Sequence, residues 1–248
     1  MDDATSGLTL TVLGCSGTYA APGGACSGYL VRSPTTTLVV DLGAGTLANL
    51  QRHVDIAAVD AVVLSHEHPD HWLDLPLLRN AMRYVLDLAD LPVYGTAGTA
   101  RIAGELITEM APTLRWTVVD GASEVTVGDL GVRFGRTDHP VETLAVRVDG
   151  GGRSLLYSAD TGAAWDPVPL GTDVDVLLSE ASLPTDEENR FEHLSGRQAG
   201  ACAHSLGAGR LVLTHIAPGV DPGDQRRAAA GEFDGPIDVA AVGTSLSI

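Results

Sequence analysis

The chain contains no lysine. Its fifteen basic residues are all arginine, set against 32 aspartates and glutamates, so the formal charge is −17. That balance repels a phosphate backbone, and with Arg226-Arg227 as the one tight basic pair there is no basic stripe for a long nucleic acid to follow. Cysteine is almost as scarce: Cys15, Cys26 and Cys202 are too few and too scattered for a disulfide framework or a thiolate zinc knuckle. No uninterrupted apolar run approaches the roughly 18 residues of a membrane span. The start Met1-Asp2-Asp3 has neither the basic region nor the apolar stretch of a secretory leader, which makes the cytoplasm the expected compartment. No Pro- or Ser-rich linker, charge block or low-complexity tract divides the chain, so a single domain over residues 1–248 is expected. With 44% hydrophobic residues, disorder is excluded.

What the chain does have is a series of short apolar runs: Leu8 to Leu13, Thr37 to Val40, Ala61 to Leu64, Leu155 to Tyr157, Val174 to Leu178, Leu211 to Leu213 and Ile237 to Val242. Runs of this kind predict buried strands. Apolar residues returning every three or four positions predict helices over Asp70 to Leu88, Thr99 to Met110 and Ser195 to Leu206. In between, Glu124 to Val127, Val132 to Arg136, Thr143 to Val148 and Arg153 to Ser158 alternate around turn residues, as antiparallel hairpins do. The order is mixed α/β. Ala61-Val-Val-Leu-Ser-His66 and Arg210-Leu-Val-Leu-Thr-His215 echo each other, each a buried-type strand that delivers a histidine at its carboxyl end. Two similar halves facing a shared site are expected.

The strongest chemical signal is His66-Glu67-His68-Pro69-Asp70-His71. Composition alone would place three histidines at such positions in roughly one sequence in a hundred of this kind. The segment follows a strand, and Asp70 is expected to cap the helix after it, which makes the six residues a tight strand-to-helix loop. Imidazoles at i and i+2 converge on one metal ion, while the carboxylate and the adjacent imidazole turn toward a second about 3.5–4 Å away. The competing reading is a polar loop of solvated histidines.

With this motif the chain resembles the metallo-β-lactamase fold superfamily, and the resemblance runs over nearly its whole length. It implies a four-layer αβ/βα sandwich, two mixed β-sheets flanked by helices, with a dinuclear site at one edge of the sheets. It further implies that His139 in Arg136-Thr-Asp-His-Pro140, Asp160 in Tyr157-Ser-Ala-Asp-Thr161, and His215 complete the ligand set. One metal would then take His66, His68 and His139, the other Asp70, His71 and His215, with Asp160 shared. Such nitrogen and oxygen ligands suit two divalent ions, zinc first, with manganese or iron also accommodated. A metal-bound hydroxide is the expected nucleophile, with Asp70 orienting it and accepting its proton. Asp41 matches an aspartate that supports a ligand histidine, the competing reading being a helix cap before Leu47 to Leu50.

The context Asp138-His139-Pro140 departs from the Pro-Gly-His-Thr of glyoxalase-type thioesterases. Ser179-Glu-Ala-Ser182 and Glu192-His193-Leu-Ser-Gly-Arg-Gln-Ala199 look instead like the ribonuclease Z and cyclic-nucleotide phosphodiesterase branch. There the residue matching His193 approaches the scissile phosphate as electrostatic stabiliser or general acid; a solvated histidine ahead of the helix is the plainer alternative. Bacterial-type ribonuclease Z carries a tRNA-gripping arm between the third histidine and the bridging aspartate. Here Asp160 lies twenty-one positions after His139, and a hairpin occupies them. The expected substrate is therefore a small phosphodiester such as a cyclic nucleotide, with Gly14 to Gly24 edging its pocket. A tRNA 3′-end endonuclease is the alternative enzyme, and a non-catalytic metal-binding or ligand-sensing module the alternative of another class. Membrane contact is not expected, and the sequence leaves homodimerisation open.

Overall fold

The computed structural model describes residues 7–248; the Met1-Asp2-Asp3 start lies outside them. From the amino end, six strands alternate apolar side chains between two faces: β1 (Thr9–Gly14), β2 (Gly28–Arg32), β3 (Thr37–Leu42), β4 (Ala61–Val63), β5 (Leu91–Gly95) and β6 (Leu114–Val118). Seven more follow: β7 (Glu124–Val127), β8 (Leu130–Arg136), β9 (Leu144–Gly150), β10 (Arg153–Tyr157), β11 (Val176–Glu180), β12 (Leu211–Thr214) and β13 (Ile237–Val239), before β14 (Ser245–Ser247) returns beside β1. They pair into two seven-stranded sheets, ordered β14-β1-β2-β3-β4-β5-β6 and β13-β12-β11-β10-β9-β8-β7. Each is mixed: β3 to β6 run parallel in the first, and β10 to β13 in the second.

Period-two alternation explains the layering. Leu38 and Val40 of β3 point into a central seam with Leu10, Val12 and Val63, against Val146, Val148, Leu155 and Leu178 of the other sheet. Val39 and Leu42 point the other way, under α1 (Thr46–Leu50), α2 (Leu75–Ala81) and α3 (Ala97–Leu106). On the far side Leu156, Leu177 and Leu213 pack beneath α4 (Gly196–Ser205) and α5 (Pro222–Ala229). The result is the αβ/βα sandwich that the resemblance implies. Burial on both faces makes the parallel strands read as continuous apolar runs, and each such Leu or Val contributes about 1.5–3 kcal/mol. Among the described residues no helix is long and apolar enough to cross a membrane.

Several boundaries differ from expectation. The helix over Asp70 to Leu88 starts only at Leu75, after a 3₁₀ turn at Pro69–His71, and passes into a π-helical turn at Met82–Leu86. Asp70 is therefore not a helix cap. The Asp74 carboxylate, one turn on, accepts the Leu47 N–H at 2.8 Å and ties the start of α1 to the start of α2. The helix at Thr99 to Met110 begins earlier, because the Thr96 side chain accepts the Thr99 N–H, and ends at Leu106. The strand beginning at Ile237 stops at Val239. Strands β2, β5, β6 and β14 lie beyond the sequence expectation. In β5 a proline interrupts the run, and β6, at the sheet edge, has a largely exposed face.

Candidate metal centre

The site lies beyond the carboxyl ends of β3, β4, β10, β11 and β12, where parallel strands of both sheets stop at one edge of the sandwich. Three of its residues or their neighbours take left-handed backbone: Asp41 (φ 57°), Ala159 just before Asp160 (φ 51°) and His215 (φ 50°). Such backbone is costly outside glycine and concentrates where a side chain must be aimed. Gly43 lies so near the Asp70 carbonyl that a Cβ would collide with it, so a glycine is needed to seat the His66–His71 loop against β3.

Two groups of ligand atoms face each other. His66, His68, His139 and Asp160 form one and Asp70, His71 and His215 the other, each with its atoms within 4.8 Å of one another. Asp160 spans them. Its Oδ2 lies 3.6 Å from His66 Nε2 and 4.0 Å from His139 Nε2, while its Oδ1 lies 3.3 Å from His71 Nε2 and 3.4 Å from His215 Nε2. Asp70 Oδ2 is 3.6 Å from His71 Nε2 and 3.8 Å from His215 Nε2. His66 Nε2, His71 Nε2 and Asp160 Oδ1 are buried without a hydrogen-bond partner. Orphaned polar atoms of this kind cost about 1–3 kcal/mol each, so their convergence, with lone pairs of nitrogen and oxygen only, fits metal cations.

The ring nitrogen that faces away from the centre is also engaged. His139 donates its Nδ1–H to the Glu192 carbonyl at 3.1 Å, which turns the Nε2 lone pair inward. His215 Nδ1 lies 2.7 Å from Ser27 Oγ, and His66 Nδ1 3.0 Å from Ser65 Oγ. Asp41 does not cap a helix: it accepts from His71 Nδ1 at 2.7 Å, from the Ser65 N–H and hydroxyl, and from the Tyr157 hydroxyl of the opposite sheet. Outer contacts of this kind fix tautomer and ring angle in metal sites. Burial holds His66, His68 and His139 below the ordinary imidazole range, in the neutral form a metal takes. At His71 burial acts in the same direction, but the Asp160 and Asp41 carboxylates outweigh it and raise the group well above that range. Burial opposes ionisation of Asp160 too, yet His215, His71 and His66 hold it well below the carboxylate range.

His193 is not a solvated residue ahead of α4. Its ring lies over that of His215 with centroids 5.9 Å apart and planes 20° from parallel, and its Nδ1 donates to Glu180 Oε1 at 3.0 Å. Burial disfavours its charge, but Glu180 prevails and pushes the imidazole up to about 9. The fold thus gathers all eight residues singled out from the sequence, His66, His68, Asp70, His71, His139, Asp160, His193 and His215, at one place. Glu180, within the Ser179–Ser182 segment noted in the sequence, is the neighbour to which sequence reasoning gives no role of its own. Its signal was a carboxylate closing an otherwise apolar run, costly to bury unless paired.

Residues 36–216 match a protein family described as Beta-lactamase superfamily domain. The uncharacterized protein Rv1339 of Mycobacterium tuberculosis is 39% identical over 245 residues, covering 93% of this chain and 88% of that protein. The probable metallo-hydrolase YhfI of Bacillus subtilis is 32% identical over 241 residues, covering 95% of this chain and 98% of its own. The crystal structure of YhfI superposes with a TM-score of 0.91 at 30% identity, over 98% of this chain and all of that one. Ribonuclease Z of Mycobacterium bovis is 29% identical over 266 residues, covering 94% and 95%.

Proposed function

The chain belongs to the metallo-β-lactamase superfamily and is a metal-dependent hydrolase; from that premise we propose that it acts in the cytoplasm as a phosphodiesterase on cyclic nucleotides or related small phosphodiesters. In this reading two divalent cations, zinc first among them, would be held by His66, His68 and His139 and by Asp70, His71 and His215, with Asp160 available to both groups. Bound there, such cations supply charge neutralisation at a phosphoryl group and make water acidic enough to act as a nucleophile near neutral pH.

The observation that carries the reading is the Glu180–His193 pair. His193, whose ligand atom lies within 4.8 Å of those of Asp160 and His215, has its Nδ1 taken by a buried carboxylate, which favours its cationic form and leaves Nε2 for a substrate. As water oxygen bonds to phosphorus and the ester P–O bond breaks, His193 donates its proton to the leaving oxygen. Asp70, whose carboxylate faces both His71 and His215, orients the attacking water and accepts its proton. Glu180 and the backbone hold the donor in place throughout.

A tRNA 3′-end endonuclease is the second reading, favoured by the likeness to ribonuclease Z. Against it stand the charge of −17 and the β9–β10 hairpin, which fills the interval between His139 and Asp160 and leaves no length for an arm. The deciding experiment is elemental analysis joined to a turnover screen over bis(p-nitrophenyl) phosphate, cyclic AMP, cyclic GMP, a lactam and a thioester. Hydrolysis confined to the phosphodiesters is the expected result; turnover of the lactam or thioester alone would overturn it.

A further inference from the structure

Between β11 and α4 the chain carries His193 and also Glu192, whose carbonyl accepts from His139, on a stretch that the hydrophobic core does not hold. Residues 184–193 read Pro-Thr-Asp-Glu-Glu-Asn-Arg-Phe-Glu-His; none of them is buried, and Phe191, their one large apolar side chain, is 54% exposed. A loop with no buried apolar contacts opens locally at little cost unless polar contacts fasten it. Proton transfer needs its donor within hydrogen-bond reach, so the fastening bears on the chemistry.

Two sets of contacts fasten it. The neck is closed by a bridge between Leu183 and Ser195, and by the buried Gln225 of α5, whose amide donates to the Leu183 carbonyl at 2.9 Å and accepts the Gly196 N–H. Within the loop Glu188 turns back onto the start of α4. Its Oε1 accepts the Ser195 hydroxyl and, at 2.9 Å, the Arg197 Nε–H, while its Oε2 accepts from the Arg197 Nη2 at 2.6 Å. Ser195 is also the cap of that helix, its Oγ accepting the Gln198 N–H, and Gln198 Nε2 donates to Asn189 Oδ1 at 3.1 Å. Exposed ion pairs usually contribute little. The Glu188 side chain, however, is only 13% exposed, its pairing is bidentate, and it sits at the amino end of a helix, where a carboxylate is favoured. Arg190, by contrast, pairs with Glu187 of the same loop.

We infer that Glu188 is a positioning residue: its clasp on Ser195 and Arg197 fixes the loop so that the Glu192 carbonyl stands at His139 and the His193 ring stands at Glu180. The role given to His193 rests on the phosphodiesterase reading; the support given to His139 does not depend on the substrate. Without the clasp the loop is held chiefly at its neck. His139 then loses a fixed acceptor for its Nδ1–H, and contacts of that kind set the affinity of metal ligands. His193 loses its fixed distance from the reacting atoms at the same time.

The test is chelator competition on the full chain with zinc as the probe. Glu188→Ala and Arg197→Ala should each weaken zinc binding about tenfold, and the double variant should be no weaker than either, since all three break one contact. Arg197→Lys, which keeps the charge but not the two-pronged contact, should fall between them and the wild type. Arg190→Ala, which breaks an ion pair internal to the loop, should bind zinc as the wild type does. On zinc-loaded protein, Glu188→Ala should lower kcat for cyclic AMP about tenfold with KM little changed, and the deficit should shrink on bis(p-nitrophenyl) phosphate. Wild-type zinc affinity in both alanine variants would overturn the inference, even if urea unfolding showed them less stable, and so would an equal loss in Arg190→Ala. Wild-type kcat in Glu188→Ala would overturn the part that concerns His193. If the wild-type chain hydrolyses no phosphodiester, the phosphodiesterase reading falls, and the zinc measurement still decides the clasp.

Discussion

Glu180 and His193 form a pair in which a fully buried carboxylate holds a partly exposed imidazole, Oε1 standing 3.0 Å from Nδ1. The same oxygen accepts the Thr161 N–H at 2.6 Å, one residue beyond Asp160, so the backbone that carries the Asp160 carboxylate is tied through Glu180 to His193. Burying a carboxylate at the end of β11 is costly without such partners. The arrangement ties the position of His193 to that of the metal ligands.

Replacing Glu180 by Gln keeps the shape and removes the charge. Since Glu180 raises His193 to about 9, His193 as the proposed donor should be protonated at neutral pH, and activity should fall as pH rises through that value. In Glu180→Gln burial is no longer offset, so the alkaline limb of the kcat profile should move to lower pH, with kcat near neutrality reduced about 10- to 100-fold. Superimposable profiles for the two proteins would remove Glu180 from the mechanism.

His193→Ala should lower kcat about 10²- to 10⁴-fold on cyclic AMP while both metals stay bound. On bis(p-nitrophenyl) phosphate, whose leaving group scarcely needs a proton, a general acid becomes dispensable and the deficit should shrink sharply. A deficit of equal size on both substrates would assign His193 to electrostatic stabilisation, and unchanged turnover on both would deny it any part.

Asp160 offers one oxygen to each ligand group, so Asp160→Ala should strip much of the bound metal from both. Elemental analysis after gel filtration measures this directly. Full retention of metal in the variant would contradict a spanning role.

Asp41 accepts from four donors in a site without water access. Asp41→Ala leaves them unsatisfied and should cost about 3 kcal/mol or more in urea unfolding. Asp41→Asn, which keeps the volume, should still weaken metal affinity about 10- to 100-fold, read by chelator competition. Wild-type affinity in Asp41→Asn would show that His71 needs no such support.

Binding to tRNA should be weak at low salt and vanish near physiological ionic strength, because few phosphates can be neutralised by so acidic a chain. A filter-binding series in rising salt checks this; salt-resistant binding with accurate 3′ cleavage would promote the endonuclease reading.

The chemistry of the His66–His71 loop is legible in the sequence because it is local: six consecutive residues after a strand carry four of the candidate ligands. The strands that deliver Asp160 and His215 are legible for a similar reason, since burial on both faces leaves continuous apolar runs. Local rules misplace Asp70, whose type suits a helix cap, because a 3₁₀ turn at Pro69–His71 comes first and α2 starts only at Leu75, with Pro76 in its first turn. Only the tertiary structure decides the rest. Tyr157 reaches Asp41 across 116 positions of sequence, and Ser27 reaches His215 across 188. Glu180 meets His193 because the segment between β11 and α4 folds back over the end of β11, and Gly17, beyond β1, packs on His215 because the two sheets close face to face. A periodicity records which face of a strand is buried; it carries no record of which distant backbone stands opposite, and that pairing is what brings these histidines and carboxylates to one place.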